Sequence, residues 1–243
     1  MKILDERFIL SFESEIQIMV MSMTQTVKRL LTFRLSREEM LSFQQKHFLI
    51  GLAGTWLVGI GRYWDDPGAR LLQHLGLGSV IYIFILALFI WLMVKPFAVE
   101  EWTYFIVVTF IGLTSFPAIF YAIPVERYFS IEMANAINVW FLAIVASWRL
   151  GLLFYFLKYF TRLKTWTILV ITLLPICLII SSLTALNLHR VVFNIMGGVR
   201  NPTPHDAAYT VLLILTGLSV ILVGPLLIGY GIAIYLRRKS LKD

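Results

Sequence analysis

Six apolar stretches, residues 47–63, 79–96, 102–123, 133–157, 166–186 and 207–236, take up most of this chain and leave only short polar links between them. A helix needs about 20 residues, within a range of about 17–25, to cross the hydrocarbon core of a bilayer. Inside lipid the backbone has no water to bond, so each crossing must satisfy its own amides and carbonyls as a helix. The expected fold is therefore all-α: a polytopic transmembrane helical bundle of about six spans. The first stretch is at the short limit, and the last is long enough to tilt or to extend past the membrane. Composition bears on this directly. Of the 243 residues, 59% are hydrophobic and 14% charged, against about 45–50% and about 25% in soluble domains.

The cations sort by side. With the N-terminus inside, fifteen of the 21 lysines and arginines fall in cytoplasmic segments, and Arg62, Arg70, Arg127, Arg190 and Arg200 fall outside. Arg149 lies within a span. Retention of Lys and Arg on the cytoplasmic face sets orientation, so both ends are placed in the cytoplasm of a bacterial inner membrane. Dropping the first span would put the basic N-terminal region and the basic tail on opposite faces. The same retention accounts for the net charge of +7. No basic-aromatic tract accompanies it, so nucleic acid is not an expected partner.

Three regions follow: a cytoplasmic or interfacial segment at 1–46, the bundle at 47–236 and a basic tail at 237–243. Lys2, Asp5, Glu6 and Arg7 interrupt the first apolar run, which argues against a cleaved signal peptide. Residues 3–21 are expected as a helix lying on the membrane or the bundle, with Met21 and Met23 as alternative starts. Ser36-Arg37-Glu38-Glu39 reads as a capping box that starts a helix running towards the first span. Lys28, Arg29, Arg34 and Arg37, set among Leu30, Leu31, Phe33 and Leu35, suit anionic lipid headgroups as well as plain charge retention. In the loops, Asp66-Pro67 predicts a short helix over 69–75 ended by Gly76. Thr203-Pro204-His205-Asp206 reads as the capped start of the last span. The apolar loop at 188–203 is expected to fold back onto the bundle or to dip into the interface.

Small residues form two seams. Gly51, Thr55 and Gly59 recur every four residues on the first span, and Thr210, Gly217, Gly224 and Gly231 every seven on the last. Both read first as packing faces within the bundle, with a membrane-protein partner or a homo-oligomer as the alternative. Pro117, Pro175 and Pro225 lie inside spans and are expected to kink them. Cys177 is alone, so no intrachain disulfide can form, and it reads as a small buried residue.

Two places are candidates for chemistry. Asn135, Asn138, Leu142, Val145 and Arg149 are spaced by three or four, so Asn135, Asn138 and Arg149 form a polar stripe on one face of the fourth span. An arginine in a span should face the bundle or water, where it binds an anion or serves structure by reaching the interface. The second place is external: Arg62, Trp64, Asp65, Asp66, Glu126 and Arg127, with Tyr63 and Tyr121 in the aromatic belt. It reads as a lid held by salt bridges from Arg62 and Arg127 to Asp65, Asp66, Glu126 and Glu132. The histidines His47, His74, His189 and His205 have no metal-ligand spacing, and no nucleophile elbow, phosphate loop or dinucleotide fingerprint occurs. No cofactor or metal is expected.

Gly61-Arg62-Tyr63-Trp64-Asp65 with Leu72-Gln73-His74-Leu75-Gly76-Leu77-Gly78-Ser79, and Tyr121-Ala122-Ile123-Pro124-Val125-Glu126-Arg127 with Trp148-Arg149, are similar to segments of bacterial multi-pass membrane proteins. The resemblance covers about residues 47–157 and implies an inner-membrane setting without an activity. A looser likeness to the Yip-domain class rests only on a cytoplasmic region before clustered spans, and that class is usually read with one span fewer. Three functional readings follow. The first is a non-enzymatic scaffold, sensor or assembly subunit. The second is a small permease or channel using the stripe on the fourth span. The third is a membrane enzyme on lipid or an envelope precursor, which needs Asp65, His74, Glu126 and His205 to converge.

Overall fold

The computed structural model describes residues 23–65, 68–186 and 207–241, and among them it contains helices and no strand. In chain order these are α1 (residues 23–31), α2 (Arg37–Leu41), α3 (Gln45–Gly61), α4 (Leu71–His74), α5 (Leu77–Val94), α6 (Tyr104–Leu113), α7 (Ile131–Thr161), α8 (Thr165–Ala185) and α9 (Ala207–Ser240). Short 3-10 helices at Lys95–Phe97, Phe116–Ala122 and Val125–Arg127 lie in the links around α6. The all-α polytopic bundle is as expected. Five segments are long and apolar enough to cross a membrane: Leu77–Phe97, Tyr104–Arg127, Ile131–Thr161, Thr165–Ala185 and Leu213–Ser240. The helix of the first apolar stretch, α3, is not among them. It has 17 residues, roughly 25 Å at about 1.5 Å per residue. The expectations for residues 3–21, 188–203 and 203–206, and for Asp66-Pro67, lie outside the described residues.

Polar contacts sort the links to two ends. At the basic end, Arg37 Nε donates to the Phe160 carbonyl at 3.2 Å and the same guanidinium pairs with Glu101 at 3.3 Å. Arg237 Nε donates to the Phe97 carbonyl at 3.2 Å, and the Tyr155 hydroxyl to the Leu35 carbonyl at 2.9 Å. At the far end, Trp56 Nε1 donates to the Leu75 carbonyl at 2.8 Å and Trp64 Nε1 to the Ala122 carbonyl at 3.0 Å. So α3 starts beside the basic end and finishes at the far end, as the longer helices do.

Local signals explain several boundaries. The Ser36 hydroxyl accepts from the Glu39 amide at 3.3 Å, and the Glu39 carboxylate accepts from the Ser36 amide at 2.7 Å. This is the expected capping box. Its helix nevertheless stops at Leu41, because α3 restarts at Gln45 with the His47 ring accepting from the Gln44 amide at 3.0 Å. Gly76 closes α4 at φ 67, the left-handed region that a glycine enters without steric cost. Of the three span prolines, Pro117 coincides with a break: α6 ends at Leu113 and the span continues as a 3-10 helix from Phe116. Helices α8 and α9 run on through Pro175 and Pro225.

The core joins both ends of the chain. Leu30, Leu35 and Met40 from the N-terminal segment are fully buried with Phe97, Phe110 and Phe156. The Phe110 and Phe156 rings stack at 4.0 Å. Against this core α3 and α6 approach closely. A Cβ on Gly51 would sit 2.9 Å from the Leu113 nitrogen, and one on Gly112 would sit 3.2 Å from the Gly51 carbonyl carbon. Thr55 Oγ1 bridges the same contact at 2.8 Å to the Gly51 carbonyl and 2.8 Å to the Ser115 hydroxyl. The seam on the first span is a packing face within the bundle, as read from its spacing.

The seam on the last span is not. Helix α9 packs through a different seven-residue repeat, Ser219, Leu226 and Ala233, at 4%, 9% and 8% exposure. Gly217, Gly224 and Gly231 come two residues earlier in each repeat, and two residues turn a helix by about 200°. A Cβ on any of these three glycines would have nothing within 4 Å. The side chain of Thr210 lies outside the described part. A period identifies residues that share a face but does not say which face meets the bundle.

Candidate functional site

The break in the third span decides where the polar side chains go. At Thr114 and Ser115 the α-helical ladder stops, and each hydroxyl turns back to a carbonyl of the last turn, at 2.9 Å to Ile111 and 2.6 Å to Gly112. The chain then tightens into the 3-10 helix Phe116–Ala122, which carries Tyr121 up to the end of α3. Gly61 permits this meeting, since a Cβ there would lie 2.9 Å from the Ala122 Cβ. Val58 of α3, Ala118 of the 3-10 turn and Val145 of α7 form a small buried apolar cluster, with Tyr121 packed against it.

Helix α7 begins at the same end. Ser130 caps it, its hydroxyl accepting from the Met133 amide at 3.4 Å. The face holding Asn135, Asn138 and Val145 turns inward: Asn135 is 4% exposed and Val145 1%. Asn138 Nδ2 donates to Glu126 Oε1 at 2.9 Å. Arg149, on the same face, is half-buried. The two places that the sequence separates, the stripe and the external cluster, are thus joined through Asn138 and Glu126.

Arg62 is the central group. It follows the last turn of α3 as its cap. Its guanidinium lies over the Tyr121 ring at 5.0 Å and the Tyr63 ring at 5.6 Å. Such placement gains cation–π attraction from the ring quadrupoles. Its Nε and Nη2 are buried and have no hydrogen-bond partner among the described residues. Among the described residues, the ionisable groups acting on it are the Tyr63 and Tyr121 phenols, with no carboxylate among them.

Among the described residues, the cations of the expected lid, Arg62 and Arg127, stand over aromatic rings. Arg127 lies over the Trp64 ring at 4.7 Å, and Trp64 is tied to the Ala122 carbonyl. Glu126 gives an oxygen to Asn138 instead. The ion pairs that do form among the described residues, Arg29–Glu39 at 2.9 Å and Arg37–Glu101 at 3.3 Å, are at the basic end. Aromatic rings compete well for a guanidinium here because they are already assembled by the helix ends, whereas a carboxylate would have to be desolvated to enter. Asp65 lies at this end with contacts of its own, and Asp66 is outside the described residues.

In the sequence Arg149 stands out by its mid-span position, and Arg62 does not. The signal that would have singled out Arg62 is Thr114-Ser115-Phe116-Pro117, which forecasts the break that lifts Tyr121 onto Arg62. Among the described residues no group of three or more His, Cys, Asp or Glu could hold a metal ion. No family model, curated protein or solved structure matches the chain.

Proposed function

We propose that this integral membrane protein is a non-enzymatic subunit of a membrane assembly in which copies of the chain meet along α9. The observation that carries the reading is the open glycine seam. A Cβ on Gly217, Gly224 or Gly231 would meet nothing within 4 Å among the described residues, yet a glycine costs a helix about 1 kcal/mol relative to alanine. Small residues in a seam let two transmembrane backbones close on each other. The chain uses that device internally where Gly51 meets Gly112.

A second copy is the fitting occupant because the face is self-complementary. Ile221 and Ile228, at 70% and 66% exposure, lie between the glycines at spacings of three and four. Large and small positions thus alternate along one stripe, so the isoleucines of one copy can enter the gaps over the glycines of another. The setting we propose is a bacterial inner membrane, with α3 as a sixth crossing and the basic end in the cytoplasm. The cation bias and the end-to-end path of α3 support this. Arg29 and Arg37 are engaged within the chain, which leaves Lys28 and Arg34 for anionic headgroups.

Cysteine cross-linking in native membranes tests the assembly. With Cys177 replaced by alanine, Gly224→Cys is expected to give disulfide-linked dimers on mild oxidation. Leu218→Cys, exposed but about 120° around the helix, is expected to stay monomeric. Equal cross-linking at both positions, or none at either, contradicts the reading.

A further inference from the structure

We propose that a groove beside α1 holds an acyl chain of one anionic phospholipid, with Lys28 at its phosphate. The groove has a volume of about 560 Å³. Met23, Val27 and Leu31, each one helical turn after the last, form one wall. Ile50 of α3, Phe116 of the 3-10 helix and Trp148 of α7 form the other. Trp148 Nε1 donates to the Leu31 carbonyl at 3.0 Å, which fixes the end of α1 against α7. The Phe116 ring reaches α3 at Gly54, where a Cβ would lie 2.7 Å from it. The groove therefore extends from the N-terminal segment to the break in the third span.

The walls and the one charge among them point to the occupant. An apolar cavity stays dry, because water finds too few polar partners in it. Left empty, its lining forfeits dispersion contacts. An acyl chain restores them, since lipid tails are as apolar as these walls. Lys28 is the charged residue of the lining, and it is exposed. Its cationic neighbours are engaged, Arg29 with Glu39 and Arg37 with Glu101, whereas Lys28 makes no ion pair among the described residues. Lys46 precedes Ile50 by four residues on α3, so it lies on the same face towards the basic end. An ammonium meets a phosphate as a compact point charge. The site rests on the reading above that Lys28 serves anionic headgroups, and it adds that the lipid's tail enters the fold.

Native mass spectrometry of the full chain, released from a neutral maltoside, tests the groove. The probes are dioleoyl phosphatidylglycerol and dioleoyl phosphatidylcholine, which share their chains and differ in net charge. The wild type is expected to retain one phosphatidylglycerol about fivefold more tightly than phosphatidylcholine, the effect of roughly one lysine near a membrane surface. Lys28→Gln should bring the two lipids within about twofold of each other. Val27→Trp, which puts an indole into the groove, should remove the first retained molecule of either lipid. Lys164→Gln, exposed at the basic end but not part of the lining, should leave the preference within about twofold of the wild type. No retained lipid in the wild type, as when detergent or the chain's own residues 1–22 fill the groove, overturns the proposal. So does equal retention of the two probes, an unchanged preference in Lys28→Gln, or a retained molecule that survives Val27→Trp. If Val27→Trp does not fold, Lys28→Gln decides. The retained lipid is read on the monomer peaks, so the result stands apart from whether copies meet along α9.

Discussion

Gly51→Ala is expected to destabilise the bundle by about 1–3 kcal/mol, and Gly51→Leu by more, to the point of losing folded protein in detergent. The reason is what a side chain would strike. The added Cβ would lie 2.9 Å from the Leu113 nitrogen and 3.0 Å from the Gly112 carbonyl carbon. Both are backbone atoms, so no side-chain rotation relieves the clash, and α6 would have to move away from α3. That movement would also pull apart the Thr55–Ser115 hydrogen bond at 2.8 Å. Gly78→Ala is the matched control, since a Cβ there meets nothing within 4 Å. Thermal unfolding of the three proteins side by side reads the effect. A Gly51→Ala variant that melts with the wild type would show that α3 and α6 do not touch as described.

Phe156→Ala has the second large effect. The ring is fully buried, stacked on Phe110 at 4.0 Å, with Trp102 at 5.7 Å and Phe160 at 5.4 Å. In water-soluble proteins such a truncation costs about 3–5 kcal/mol, partly as lost transfer from water and partly as the cavity left behind. Lipid tails are as apolar as phenylalanine, so in a membrane the cavity and lost packing dominate. The expected loss is therefore toward the lower end of about 3–5 kcal/mol. It should appear as a lower unfolding midpoint in the same detergent. Ile81→Ala, on the exposed side of α5, should change the midpoint by no more than about 0.5 kcal/mol in equivalent stability. Equal losses at Phe156 and Ile81 would mean that the aromatic stack is not the core.

These two residues mark what could be read before the structure and what could not. The apolar stretches carry their own length and period, so the all-helical bundle was legible from them. So were the Ser36–Glu39 cap and the glycine at Gly76, because each is a local bond or a local torsion written in four or five residues. The Gly51 seam was also legible, and its role within the bundle matched. The Gly217–Gly224–Gly231 seam has the same appearance and the opposite placement. Its direction depends on which side of α9 meets α8, and that is settled by Ser219, Leu226 and Ala233 together with Tyr230 reaching the Met93 carbonyl at 2.8 Å. No local signal ranks one seven-residue repeat over the other.

The site divides in the same way. Asn138 was placed on the same helix face as Arg149, and Arg62 and Tyr121 were each visible at the external end. Their meeting was not visible, because it depends on a change of helical pitch between Leu113 and Phe116. A 3-10 turn advances about 2.0 Å per residue against about 1.5 Å in an α-helix. The six residues from Phe116 to Tyr121 in that form move Tyr121 along the bundle and rotate it relative to an unbroken helix. Partner choice escaped for a related reason. Charge alone pairs Arg62 with nearby acids, whereas in the folded site its place is taken by two rings and Glu126 is occupied by Asn138.

The central claim is that α3 crosses with the longer helices, so that the basic end and the Arg62 end lie on opposite sides of one membrane. Single cysteines at Glu38, Arg70, Tyr128, Lys164 and Ser240, all exposed, in a Cys177→Ala background test it most directly. They are probed in bacterial spheroplasts with a membrane-impermeant maleimide. The account predicts labelling at positions 70 and 128 in intact spheroplasts, and at 38, 164 and 240 only after permeabilisation. Labelling of positions 38 and 70 from the same side would contradict it.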